Sequence, residues 1–211
     1  MKNELLPARF QGINEDVYAG FWVRVAAKLL DFIILLPIMG LVLYVSSISK
    51  SANLYILIPN ILFGLAFEVL LVKIYGGTPG KLIMGLKIIQ KNSDNMDLKA
   101  SFYRYSVEFI IAILGVYVMF LTLNLIDDST YKSLGFLKRN QLMSTINPIP
   151  MKIQSWTSFA WFTIGAIVLI SNSRKRTTHD FIAGTVVIKS VYLHEIREIM
   201  NSTESVEGTI E

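Results

Sequence analysis

Six ionisable residues sit where the surrounding sequence is almost wholly apolar. Arg24, Lys28 and Asp31 fall within FWVRVAAKLLDF, four and then three positions apart, which sets all three on one face of a helix. Glu68 interrupts a second apolar stretch, and Arg104 and Glu108, one helical turn apart, open a third. Charges of both signs in such places have two readings. In the first they form an ion or proton path in which Asp31 and Glu68 bind the proton or cation, since ionisable residues inside a membrane are functional candidates by default. In the second they pair with one another and lock helices together. The sequence leaves both open.

Other chemistry finds little support. The chain has no cysteine, which removes disulfides, thiolate metal sites and cysteine nucleophiles. His179 stands beside Asp180, but adjacent residues on a helix or strand point apart, and the one other histidine, His194, completes no metal set. Lys81 after Gly80 suggests a phosphate-binding loop. That motif needs glycine where Tyr75 stands and serine or threonine where Leu82 stands. The reading is not an enzyme, with no cofactor and no metal site.

The elements that position these charges follow from composition. Of 211 residues 53% are hydrophobic and only 17% charged, against roughly 25% charged in soluble proteins. Four largely uncharged stretches approach the ~18–20 residues a helix needs to cross a bilayer. With the polar turns that open the first and third, they predict spans at about 24–45, 53–72, 104–126 and 154–171. The first stretch alone is too short, so it draws Asp31 into the membrane. Long side chains at Arg24 and Lys28 can snorkel to the headgroups, but aspartate has no stem to do so. The first span is preceded by some twenty mixed residues and reads as retained, not as a signal peptide. Pro37 and Gly40, then Pro59, Asn60 and Gly64, are expected to interrupt the first two helices.

Basic residues set the topology. Lys2 and Arg9, lysines 73, 81, 87, 91 and 99, and Arg174, Lys175, Arg176, Lys189 and Arg197 all fall on one side of a four-span chain. Only Lys50, Lys132, Lys138, Arg139 and Lys152 fall on the other. Basic flanks favour the cytoplasm, so the prediction is a multi-pass protein of the cell membrane with both termini cytoplasmic. The basic excess then serves the lipid bilayer and not nucleic acid, and the 174–176 cluster reads as a lipid anchor.

Between the second and third spans, LKIIQ before NSDN reads as a strand entering a turn, and GTVVIKS after the fourth span reads as its partner. The predicted fold is therefore an all-α membrane protein, a four-transmembrane-helix bundle with a small cytoplasmic β element. Residues 1–190 make the membrane domain. Residues 191–211 make a cytoplasmic tail that starts as a short amphipathic helix and ends in polar, fraying residues. The external loop 127–153 shows no recognisable chemistry.

Three segments, YAGFWVRVAAKLLDFII, YGGTPGKLIMGLKII and RTTHDFIAGTVVI, spread over residues 18 to 188, resemble in order the signature blocks of the RDD family of bacterial membrane proteins. That family is named for one arginine and two aspartates. By position in the blocks, the resemblance makes these Arg24, Asp31 and Asp180, and it implies transport of an ion or another ligand. A triad is then expected in which Arg24 bridges Asp31 within the membrane and Asp180 at its surface, a task that suits the planar guanidinium fork. The functional expectation is a transporter, either a cation/proton exchanger or a small-solute carrier. It would work as a homo-oligomer, because four helices enclose little on their own. The alternative is a non-transporting structural or regulatory protein that docks a partner at the cytoplasmic face.

Overall fold

The computed structural model describes residues 6–10, 13 and 15–207. Lys2, which contributes to the charge asymmetry, and the last four residues of the tail lie outside them. The chain is an all-α membrane protein with a two-strand sheet. Four helical stretches are long and apolar enough to cross a bilayer: Phe21–Ile48, Lys50–Ile83, Leu98–Asn124 and Pro148–Ser171. The shortest has 24 residues, or ~36 Å at helical rise against a ~30 Å hydrocarbon core. Each is longer than its sequence reading, because helix continues into the polar flanks.

Helix α1 (Phe21–Ile48) runs on through Pro37, and α2 (Lys50–Leu65) through Pro59, so the expected interruptions do not occur. A single residue joins them. Ser49 caps α2 by accepting the Ala52 N–H at 3.0 Å. After a π-helical turn at Ala66–Leu70, α3 (Leu71–Tyr75) ends on Gly76, whose φ of 79° is left-handed. Short α4 (Pro79–Ile83) leads to β1 (Leu86–Gln90), and α5 (Leu98–Asn124) follows. Then come α6 (Asp128–Ser133), α7 (Phe136–Ile146) and α8 (Pro148–Ser171). Short α9 (Thr178–Ala183), β2 (Thr185–Lys189) and α10 (Leu193–Glu207) complete the chain. The tail thus begins as the predicted helix. Large side chains such as Leu41, Ile58, Ile110 and Phe162 stand exposed along the long helices, as expected where the solvent is lipid.

The chain divides into two compact units. The first comprises the described residues of Met1–Ile33 with Phe67–Tyr105 and Ile164–Glu211. At its centre β1 and β2 pair antiparallel with Ile88 opposite Val187, the pairing predicted from LKIIQ and GTVVIKS. Tyr18 bridges to Ile188, flanking β2. Both faces of the sheet are covered, so the period-two alternation of a half-exposed strand is replaced by nearly continuous burial. On one face Leu86, Ile88 and Val187 pack with Ala27 of α1, Val72 of α3 and Ala100 of α5. On the other, Ile89, Val186 and Ile188 pack with Leu6, Phe10 and Val17 and with Ile196 and Met200 of α10.

The second unit comprises Ile34–Ala66 and Ser106–Thr163. Here the external connection 127–153, which shows no recognisable chemistry in the sequence, is largely helical. Tyr131 of α6 is fully buried with Leu123, Ile126 and Met143. Its hydroxyl donates to the Ser46 carbonyl at 2.6 Å and accepts from Asn53 Nδ2 at 2.8 Å. Arg139, counted above as a loop charge, is buried with its guanidinium 4.0 Å from the centre of the Tyr131 ring. It also donates to the Ser46 carbonyl, at 3.2 Å. Ser46 lies in the last turn of α1, where carbonyls lack helical partners and the helix dipole attracts a cation.

Ile88 is fully buried at the middle of the sheet. Ile88→Ala is expected to cost ~2–5 kcal/mol, seen as a lowered melting temperature in detergent. Val191→Ala, just beyond β2 and 74% exposed, is expected to change stability by no more than about 0.5 kcal/mol.

Candidate functional site

Asp180 is the third residue of α9, and its carboxylate is completely buried. One oxygen accepts from Arg24 Nη1 at 2.9 Å, from the Thr177 N–H at 2.9 Å and from the Thr177 hydroxyl at 2.8 Å. The other accepts from Arg104 Nη1 and from the Thr185 hydroxyl at 3.2 Å. Burial by itself would raise the pKa of this acid. The charges of Arg104 and Arg24 and the Thr177 N–H outweigh it and hold the carboxyl well below its ordinary range.

Arg24 spends its whole fork here. Nε donates to the Ala19 carbonyl at 3.0 Å, Nη1 reaches Asp180, and Nη2 donates to the Lys175 carbonyl. Lys175 has a φ of 49°, uncommon for a residue with a side chain. Arg176 is also inside the protein. It donates to the carbonyls of Thr185 at 3.0 Å and Asp180 at 2.8 Å and lies 4.1 Å from the centre of the Phe181 ring. Arg174 donates to the Leu6 carbonyl at 2.7 Å. The basic cluster read as a lipid anchor therefore has Arg174 and Arg176 bound to protein carbonyls.

Asp31 does not meet Arg24. Its buried carboxylate accepts the Thr78 hydroxyl at 2.6 Å and the Gly80 N–H at 2.7 Å, so α1 caps the start of α4. The packing demands glycine at position 80. A Cβ there would overlap the Ala27 carbonyl oxygen and sit 2.7 Å from the Asp31 nitrogen. Lys81 Nζ donates to the same Thr78 hydroxyl at 3.1 Å. The expected triad is thus two sites: Arg24 with Asp180, and Asp31 with Thr78 and Gly80. The physical reason is saturation, because Arg24 already has an acceptor in each direction of its fork.

The RDD family model matches residues 18–184. The chain belongs to the RDD family. No curated protein and no solved structure matches it. The residues that the resemblance makes the arginine and both aspartates of the RDD name, Arg24, Asp31 and Asp180, are buried or nearly so and hold the three signature segments against one another.

The remaining charges lie elsewhere. Glu68, in the π turn, accepts from Lys28 Nζ at 3.2 Å, and the two side chains are 25% and 69% exposed. Lys81 and Arg104 are further cationic neighbours of Glu68. Glu108 belongs to the second unit and accepts from the Trp161 indole N–H at 3.3 Å. Among the described residues no His, Asp and Glu side chains gather as a metal-ligand set. Sequence reasoning missed the pairing of Arg104 with Asp180, for which nothing local gives a signal. It also missed Thr78 and Gly80 as the partners of Asp31. Thr-Pro-Gly carries that signal, since proline just inside a helix start after a threonine marks an N-terminus whose amides seek an acceptor.

Breaking the Arg24–Asp180 pair is expected to cost on the order of 3–5 kcal/mol, as for other buried pairs. Arg24→Ala should lower the melting temperature in detergent sharply, and Arg24→Lys should restore part of it. Double-mutant cycles should show strong coupling of Arg24 to Asp180→Asn and almost none to Asp31→Asn.

A pH dependence follows from His179. Burial first, and then the charge of Arg104, push its pKa down to about 3, with Asp180 pulling the other way. The unfolded chain takes up a proton near the ordinary histidine value of ~6.5 and the folded chain does not. Stability therefore falls as pH drops below ~6.5, by up to ~1.4 kcal/mol per pH unit, and the loss ends only near the folded pKa. Asp180, held low, keeps its contribution above ~3.9 and loses it only on further acidification. Melting temperatures of the wild type should fall between pH 6.5 and 4.5, and His179→Gln should flatten that slope.

Proposed function

We propose that this multi-pass membrane protein is a transporter that exchanges a cation for protons or carries a small solute, and that Glu68 is the carboxylate that exchanges. The observation that carries the reading is a contrast among three acids. Asp31 and Asp180 are buried with each carboxylate oxygen bonded to strong donors. Glu68 stands within a candidate membrane span, is bonded by an exposed lysine and sits in a π-helical turn. Such turns occur mostly as single-turn bulges, frequently at functional sites. Lys28 then acts as a tethered cation that keeps the carboxylate occupied until a proton or transported ion replaces it. In this reading the protein is not an enzyme. It lies in the cell membrane with both termini cytoplasmic and works at least as a homodimer.

One observation favours the alternative, a structural or regulatory protein that docks a partner at its cytoplasmic face. The three residues that name the family are all engaged in holding the fold together.

Flux in sealed vesicles with purified protein decides between them, read with a pH-sensitive dye across a panel of cations and small solutes. Wild type and Asp31→Glu, if folded, should carry flux, while Glu68→Gln should insert and assemble normally and lose it. No flux of any cation or solute through wild-type protein would favour the docking role. Full flux through Glu68→Gln would remove Glu68 from the path.

A further inference from the structure

Two stretches of the first unit have the same build. TPGKLIMG at 78–85 and TTHDFIAG at 177–184 each open on a threonine in extended backbone, continue as a short helix, and end on a glycine with φ 65° that enters a strand. The strands continue the match, and the sheet register pairs Ile88 with its own counterpart, Val187. The flanking hydrogen bonds are exchanged in the same way. Ser190 N–H donates to the Gly85 carbonyl at 2.7 Å, and its counterpart Lys91 N–H donates to the Gly184 carbonyl at 3.0 Å. These are the marks of a local twofold axis through the Ile88–Val187 pair.

The copies differ in charge, with Lys81 where the other has Asp180, but agree in what they present outward. Leu82 and Ile83 are 38% and 67% exposed, and their counterparts Phe181 and Ile182 are 48% and 47% exposed. Each pair lies in the last turn of a short helix that leads through a glycine into the sheet. The first pair closes the second candidate span, which runs to Ile83, so this apolar surface continues that of a membrane helix. The second pair follows the fourth span, and an even number of crossings puts both on the same side of the bilayer. A lysine stands just before each copy, Lys73 before one and Lys175 before the other. An apolar face beside basic residues is the build of an element that lies in the headgroup boundary of a leaflet.

We propose that α4 and α9 both lie in the bilayer interface, with Leu82, Ile83, Phe181 and Ile182 entering the acyl boundary of one leaflet at matched depth. Lipid is the occupant of this surface, and the sheet's twofold axis runs along the membrane normal. The sheet is thereby held against the membrane on both sides of that axis.

The absence of native cysteine makes the test direct. Leu82→Cys, Ile83→Cys, Phe181→Cys and Ile182→Cys, with Asn92→Cys in the exposed turn after β1 as reference, are labelled singly in the full chain. The label is an environment-sensitive fluorophore, and the protein is reconstituted in vesicles with anionic lipid. All four interface sites should be blue-shifted relative to position 92 and quenched several-fold more by lipids carrying a nitroxide near the headgroup than by aqueous iodide. Equivalent sites in the two copies should respond alike. Iodide quenching equal to that at position 92 would overturn the proposal, as would lipid contact in one copy alone. Shielding from both quenchers would mean that a protein covers the surface, and would overturn it too. Native melting temperatures of the unlabelled variants confirm that each reading comes from folded protein.

Discussion

A carboxylate cut off from water needs a full set of donors, and Asp180 takes them from widely separated parts of the chain. Arg24 comes from the start of α1, Arg104 from the start of α5, Thr177 from the approach to α9 and Thr185 from the start of β2. An unmatched charge at this depth is so costly that none of these partners can be displaced alone. The position of α9 is thereby tied to two long helices, and the direction of β2 to α9. Arg176, reaching the carbonyls on either side of that turn, ties the same corner a second time.

A second constraint is steric. Asp31 brings α1 so close to α4 that only a residue without a side chain fits at position 80. The close approach lets the amide and hydroxyl at the start of α4 bond the Asp31 carboxylate directly, with Lys81 one hydrogen bond further out on the same hydroxyl. In this corner dipoles do the work that charges do around Asp180.

Much of this was legible in the sequence, and the limits have physical causes. The four spans follow from hydropathy because a lipid-crossing helix has little freedom in composition or length. The strands and their pairing follow from β-branched runs bounded by turn residues. Asp31 stands out because an acid in an apolar setting has to be partnered, and Asp180 through the RDD resemblance, but which donors partner them depends on long-range packing that spacing does not encode. The fork of Arg24 has room for two acids on paper, yet the nearby carbonyls of Ala19 and Lys175 compete for it. Segment 127–147 reads as a loop because its helices are only 6 and 11 residues long. Their stability comes from Tyr131 and Arg139 against the end of α1, a tertiary contribution with no local signature.

The two strands of the sheet lie far apart in the chain, β1 at 86–90 and β2 at 185–189. A ribosome delivers them in that order, separated by the last two membrane crossings, so β1 waits without its partner while those spans are inserted. Throughout that interval LKIIQ is an unpaired apolar edge, the kind of segment that invites aberrant association. Asp180 emerges only just ahead of β2, so the ion-pair corner and the ladder close together, late in biogenesis. Until then Arg24 and Arg104 lack their carboxylate, and of the two buried acids only Asp31 has its partners, Thr78 and Gly80, already in the emerged chain.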